Sequence, residues 1–173
     1  GYMLAHYSNG DYGFLDMEGN FLNRYNDLPS YFDEAYPFSD GRAAVCNDGV
    51  WGYLGAEGNF IIERQYEDAT SFAGGNAAVK SGGNWSIIDS AGNVRLELGA
   101  VGSVEVTPSY ILAAGKYYTV NDCTEAVFYG YTGVPCDEGF WVRGAYGVRV
   151  FRADGSQVYF SGAVELLDHA GYL

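Results

Sequence analysis

Along PFSDGRAAVCNDGVWGYLGAEGNF (37–60), apolar residues come in short bursts, and Gly-containing stretches separate them. In GRAAV (41–45) the alternation of an extended chain puts Ala43 and Val45 on one face. The next burst places Trp51 and Tyr53 on one face with Gly52 between them, and a third is apolar over 60–62. No long stretch carries the i, i+3, i+4 spacing of an amphipathic helix. This pattern predicts three short strands. The turn before the third has its own chemistry. In DMEGN (16–20) and DSAGN (89–93) an Asp opens the turn, and a Gly three residues later supplies positive φ. Such a turn, closed by a Gly bulge, joins antiparallel strands.

The same layout recurs. SFAGGNAAVKSGGNWSIIDSAGNV (71–94) aligns without a gap, so that Phe38 meets Phe72, Trp51 meets Trp85 and Gly58 meets Gly92, each 34 residues on. FDEA (32–35) meets YEDA (66–69) at the same offset. DYGFLDMEGNF (11–21) matches VWGYLGAEGNF (50–60) at an offset of 39, with Tyr12 in the Trp position and Gly19 at the turn. Offsets of 41 and then 38 carry the pattern to turns at Gly133 and Gly171, with Tyr118 on Ala77, Phe128 on Ile87 and Phe151 in the slot of Phe38 and Phe72. Repeats are clear over 4–98 and degenerate over 99–173. One such hairpin buries too little to stand alone, so neighbouring units must stack. The expected fold is therefore all-β: about five three-stranded antiparallel units of about 34–41 residues, propeller-like or an open curved solenoid.

At these residues the chain resembles the bacterial WG-repeat family, whose units read Phe-x-x-Gly-x-Ala-x-Val and then Trp-Gly-Tyr-Ile-Asp-x-x-Gly. The unit around Trp51 carries nearly all of this, with Leu54 and Gly55 in place of Ile-Asp; the next has Trp85-Ser86, and the first Tyr12-Gly13. The resemblance implies a single WG-type repeat domain over 1–173, as found in proteins that are often large and surface-associated, with structural rather than catalytic shared positions. It thus implies a non-catalytic binding or scaffolding module, not an enzyme and without a cofactor, with a protein or glycan partner at a cell surface. A cytoplasmic site is the alternative. A more distant likeness, to aromatic cell-wall-binding repeats that grip choline or glycan, supports a carbohydrate-binding accessory module as the second reading; those units are about half as long and led by Gly-Trp. The chain starts inside the first strand of its first unit and stops just after the turn of its last. This implies either flanking units of a longer chain or a ring closed by its two ends.

Composition supports the β reading: 16 Tyr, 10 Phe and 3 Trp accompany 25 Gly, pairing strand formers with turn formers. The net charge of −13 repels phosphate backbones and anionic lipid, which argues against nucleic acid and membrane docking. No apolar run of about 18 residues offers a transmembrane helix. Cys46, Cys123 and Cys136 form no CxxC, which fits buried free thiols or one bridge between Cys123 and Cys136.

Candidate chemistry is sparse. Trp51 and Trp85 recur at one unit position and read as core anchors, with stacking on a sugar or cation the alternative. Asp33-Glu34 and Glu67-Asp68 offer the paired carboxylates a glycoside-active enzyme needs, the most distant reading. Their recurrence in register favours a structural or solvated role. His6 and His169 stand far apart without metal-ligand spacing around them. One stretch, 127–151, departs from the repeat and is dense in aromatics. If the chain has a ligand site, Tyr129, Tyr131, Trp141, Arg143 and Tyr146 are its candidates, because binding surfaces enrich Tyr, Trp and Arg.

Overall fold

The computed structural model describes residues 1–22 and 31–126 with their side chains, and the backbone of 127–128 and of five strands between 131 and 158. Nothing but strands and turns occurs among the described residues, as the repeat predicts. The first unit is a hairpin of β1 (Met3–His6) and β2 (Tyr12–Leu15), extended by bridges from β2 to Phe21 and Phe32. Two regular sheets follow. One orders β3 (Glu34–Ala35), β4 (Arg42–Asn47), β5 (Val50–Gly55) and β6 (Phe60–Tyr66) in sequence. The other repeats it with β7 (Asp68–Ala69), β8 (Asn76–Ser81), β9 (Asn84–Asp89) and β10 (Val94–Gly99). Each contains the three expected strands and adds a two-residue fourth, formed by the recurrent FDEA and YEDA segments.

The link between units is one residue long. Tyr66, at the end of β6, pairs with Trp51, and after Glu67 the chain enters β7 of the next sheet. Phe32 likewise pairs with Tyr12 and leads through Asp33 into β3. So short a link leaves successive sheets little choice but to lie face on face.

That stacking explains a feature the alternation did not separate. Ala43 and Val45 share one face, as expected, and pack with Leu54 against Phe14 and Phe32 of the first unit. The opposite face is buried too: Ala44, Cys46, Trp51 and Tyr53 pack against Ala69, Phe72, Ala77 and Val79 of the next sheet. That sheet's far face, with Ala78, Trp85 and Ile87, covers Ile111, Val120 and Cys123. Strands β4 and β8 are thus sandwiched on both sides, which is why they run as unbroken Ala-Ala-Val segments. Trp51 and Trp85 are each 5% exposed and act as the core anchors their recurrence predicts. Phe72 is buried at 1%, whereas Phe38 in the same slot is half-buried, edge-on to Phe14 at 5.1 Å. Tyr53 crosses the seam, its hydroxyl donating to the Thr70 carbonyl at 2.9 Å.

Gly52 follows from the pairing of β5 with β6. Trp51 pairs with Tyr66 and Tyr53 with Ile62, so three residues of β6 bulge opposite one of β5. The bulge presses the Arg64 backbone inward, and a Cβ on Gly52 would lie 2.8 Å from Arg64 N. In the next sheet the bulge is smaller and Ser86 pairs directly with Glu97, so a side chain is admitted there. Gly52→Ala is expected to lower the unfolding free energy by about 1–3 kcal/mol in urea titration, as overpacking against backbone does. Ser86→Gly is expected to change it much less.

The predicted turns form as read. Gly19, Gly58 and Gly92 have φ of 83°, 75° and 86°. Asp89 Oδ1 accepts the backbone N–H groups of Ala91 and Asn93 at 2.9 Å, and Asp16 does the same for Glu18 and Asn20 at 3.0 and 2.7 Å. The side-chain bonds from Asn20 and Asn93, followed by these amides, hold both carboxyls below their ordinary value. A depressed folded value stabilises above the unfolded value, about 3.9, and its contribution is lost as the pH falls through the folded one. The Tm gap between wild type and Asp89→Ala is therefore expected at pH 7, to start closing below about pH 3.9 and to vanish in stronger acid. A gap that stays constant across that range would remove the carboxylate from the account.

Beyond β10 the regular order loosens. β11 (Val104–Val106), β12 (Ile111–Ala113) and β13 (Lys116–Tyr118) make a three-stranded sheet. β14 (Val127–Phe128) pairs with β15 (Tyr131–Thr132), so this hairpin reverses between Phe128 and Tyr131, ahead of the predicted turn at Gly133. A further sheet orders β16 (Val134–Cys136), β17 (Gly139–Gly144), β18 (Gly147–Arg152) and β19 (Gln157–Val158). Phe151 lies inside β18, paired with Phe140, rather than in the loop position that Phe38 and Phe72 occupy. The register expected here from spacing therefore does not hold at Phe151, because strand lengths change. Gly133 and Gly171 lie outside the described residues. Cys46 and Cys123 are buried free thiols, so the alternative bridge from Cys123 is not formed.

Candidate binding surface at the unit junctions

Most recurrent polar side chains are engaged in holding the scaffold. Asp33 Oδ2 accepts the Asp48 N–H at 2.7 Å, and Glu67 Oε2 accepts the Gly83 N–H at 3.0 Å. Asp48 and Gly83 belong to the tight turns joining β4 to β5 and β8 to β9, so the first acid of each pair caps a hairpin of its own sheet. That shared role accounts for their recurrence. The first residue of β4 and of β8 ties its sheet to the next. Arg42 donates to the Asp40 carbonyl at 2.7 Å and to the Ser90 carbonyl at 3.0 Å, with its guanidinium 5.1 Å from the Phe72 ring centre. Asn76 donates to the Gly74 and Val120 carbonyls, both at 2.9 Å, and accepts from Arg95. Arg95 continues to the carbonyls of Val120 and Asn121.

The aromatic stretch proposed from sequence sits at the other end of the described chain. Tyr131 lies on β15, and Trp141 and Arg143 lie on β17, separated by one residue. Tyr129 and Tyr146 fall outside the described residues, as do the side chains of the other three.

A different surface is built where the two regular sheets meet the segment after β10. A cleft of about 360 Å³ opens there, lined by Tyr36, Asp68, Ser71, Trp85 and Ser103 among others. Each is placed by its unit. Tyr36 follows β3, its N–H bonded to the Ala44 carbonyl at 2.9 Å, and its ring stacks on Trp51 at 5.3 Å and 16°. Tyr36 is still 39% exposed. Desolvation, then the charges of Asp68 and Glu34, raise its phenol above the ordinary value. Asp68 lies on β7, with Oδ1 accepting the Ala69 N–H at 2.8 Å. Trp85 forms part of the wall from β9, and its Nε1 is buried without a hydrogen-bond partner.

The sequence held a signal for this cleft that was read past. Tyr36 stands where the next unit has Thr70, one of several differences between the two units, and Asp68 was grouped with Glu67 as an acid of the fold. Only Glu67 has that capping role. Among the described residues no group of three or more His, Cys, Asp or Glu could hold a metal ion, and no helix is long and apolar enough to cross a membrane.

Residues 28–51 and 51–85 match the family model described as WG containing repeat. This supports the WG-repeat family. The two matches span about a third of the chain and both end at the recurrent Trp, in the second strand of a sheet. The WG sequence unit is therefore out of phase with the structural unit: one match begins in the middle of a sheet and runs into the next, so that it includes the seam itself. The Gly of the Trp51-Gly52 pair is the residue that the bulge of β6 requires. No curated protein matches the chain.

Proposed function

We propose that the chain is a non-catalytic binding or scaffolding module that contacts a protein or glycan partner at a bacterial surface. The observation that carries this reading is the open cleft where consecutive units meet, lined by a half-open tyrosine, a carboxylate and two serines on a framework locked by backbone hydrogen bonds. Convergent polar groups around an apolar wall are what a binding site needs. Of the two acid pairs an enzyme reading would use, Asp33-Glu34 and Glu67-Asp68, the first acid of each is engaged by a turn amide.

A second reading, a carbohydrate or cell-wall accessory module, is favoured by the density of Tyr129, Tyr131, Trp141, Arg143 and Tyr146 in sequence. Parallel peptide and glycan arrays, with purified bacterial cell wall included, test both on the intact chain. Saturable binding to either array supports a binding module, and glycan binding lost in a folded Trp141→Ala variant selects the second reading. Silence on every surface would overturn the proposal.

A further inference from the structure

The cleft between Tyr36 and Trp85 carries a narrower reading. We propose that it takes the arginine or lysine side chain of an extended segment of a partner protein. This rests on the protein arm of the binding reading above.

Three features converge. One face of the Tyr36 ring rests on Trp51, and its 39% exposure leaves the ring accessible from the cleft. A cation within about 6 Å of an aromatic face is attracted by the ring quadrupole. The chain uses that contact internally, with Arg64 lying 5.7 Å from the Phe60 ring centre. Second, the Asp68 carboxylate shares the cleft with the ring; its Oδ1 accepts the Ala69 amide, and Lys80, opposite it on β8, holds its ammonium 6.0 Å from the Trp85 ring centre. A guanidinium or ammonium seated there meets a ring face and a carboxylate together. The net charge of −13 draws positively charged segments toward the surface and suppresses negatively charged ones.

The third feature separates a peptide from a free cation. Trp85 is 95% buried and lines the cleft, and its Nε1–H has no acceptor among the described residues. Buried donors are paired in folded proteins, and one left alone at the wall of a cleft is a place where a ligand's acceptor adds a bond. A bare cation brings none. The carbonyl of an extended peptide brings one beside its own side chain, and Ser71 and Ser103 line the same cleft. A volume of about 360 Å³ suits one long side chain with its peptide unit.

The test titrates the intact chain with acetylated, amidated Gly-Ser-Xaa-Ser-Gly peptides, where Xaa is Arg, Lys or the uncharged isostere citrulline. Asp68→Asn, which keeps the oxygen that accepts the Ala69 amide, and Trp85→Phe are compared with wild type, with Tm as the check on folding. The expected result is that the Arg and Lys peptides bind at low salt and the citrulline peptide binds at least tenfold more weakly. Asp68→Asn is expected to weaken the Arg peptide at least tenfold, and Trp85→Phe to weaken all three. Equal affinity for Arg and citrulline, or an affinity indifferent to Asp68→Asn, would overturn the inference. Binding of a neutral oligosaccharide that Asp68→Asn abolishes, without peptide binding, would overturn it in favour of a saccharide and leave the binding-module reading standing. Partner binding on the arrays that persists in both variants would do the same in favour of another surface. Failure of peptides, glycans and cell wall alike would overturn both.

Discussion

Phe72→Ala is expected to lower the unfolding free energy by about 3–5 kcal/mol in denaturant titration, the range for truncating a buried aromatic. Phe72 is 1% exposed and sits at the seam between the two regular sheets, edge-on to Tyr53 at 4.8 Å and beneath the Arg42 guanidinium. Removing the ring opens a cavity whose walls belong to two sheets joined by a one-residue link, so they have little freedom to close in. It also strips the aromatic cover from Arg42, whose Nε is already buried without a partner. Phe38→Ala is expected to cost distinctly less. Its ring is half-buried, and Tyr2 and Phe14 pack beside it at the more open first seam. Equal losses at the two positions would contradict the burial difference.

Trp85→Ala is expected to fall in the same range of about 3–5 kcal/mol. The indole packs with Ala78, Ile87 and Ile111 at the next seam, where the repeat has become less regular. Trp85→Phe separates packing from hydrogen bonding. It keeps most of the buried ring and removes a donor whose unpaired burial costs about 1–3 kcal/mol, so it is expected to lose much less than Trp85→Ala. Thermal and urea unfolding of the two variants side by side decides this. A Phe variant as damaged as the Ala variant would mean that the indole nitrogen has a partner in the folded chain.

The legible part of this molecule follows from local chemistry. The Asp-x-x-Gly turns could be read because a carboxylate accepting nearby amides and a glycine at positive φ act within five residues. Trp51 and Trp85 could be read as core because both occupy one slot in a gapless alignment. The free thiols at Cys46 and Cys123 suit a chain without a CxxC. The Asp33 and Glu67 role was legible only as a class: recurrence in register said structural, but their turn partners lie 15 and 16 residues away in sequence.

Where the reading fell short, the missing information was contact between units. The two-residue strands β3 and β7 were left out because two residues carry no periodicity. They form only because the link delivers them beside β4 and β8. The degenerate turns were placed at fixed offsets, and the chain instead reverses before Gly133 once strand lengths change. The Tyr36–Asp68 cleft was passed over because its residues come from four segments of the chain, and each is unremarkable alone.

By itself, then, the sequence determined the all-β class, the turn chemistry and the 34-residue offset between the two regular sheets, because each is set by residues close in the chain or by a gapless alignment. Tertiary structure alone decided that both faces of β4 and β8 are buried, that Gly52 must yield to the Arg64 backbone, and that Tyr36, Asp68 and Trp85 share one cleft. Those outcomes depend on how one sheet settles on the next, a many-body packing result that no short window of sequence encodes.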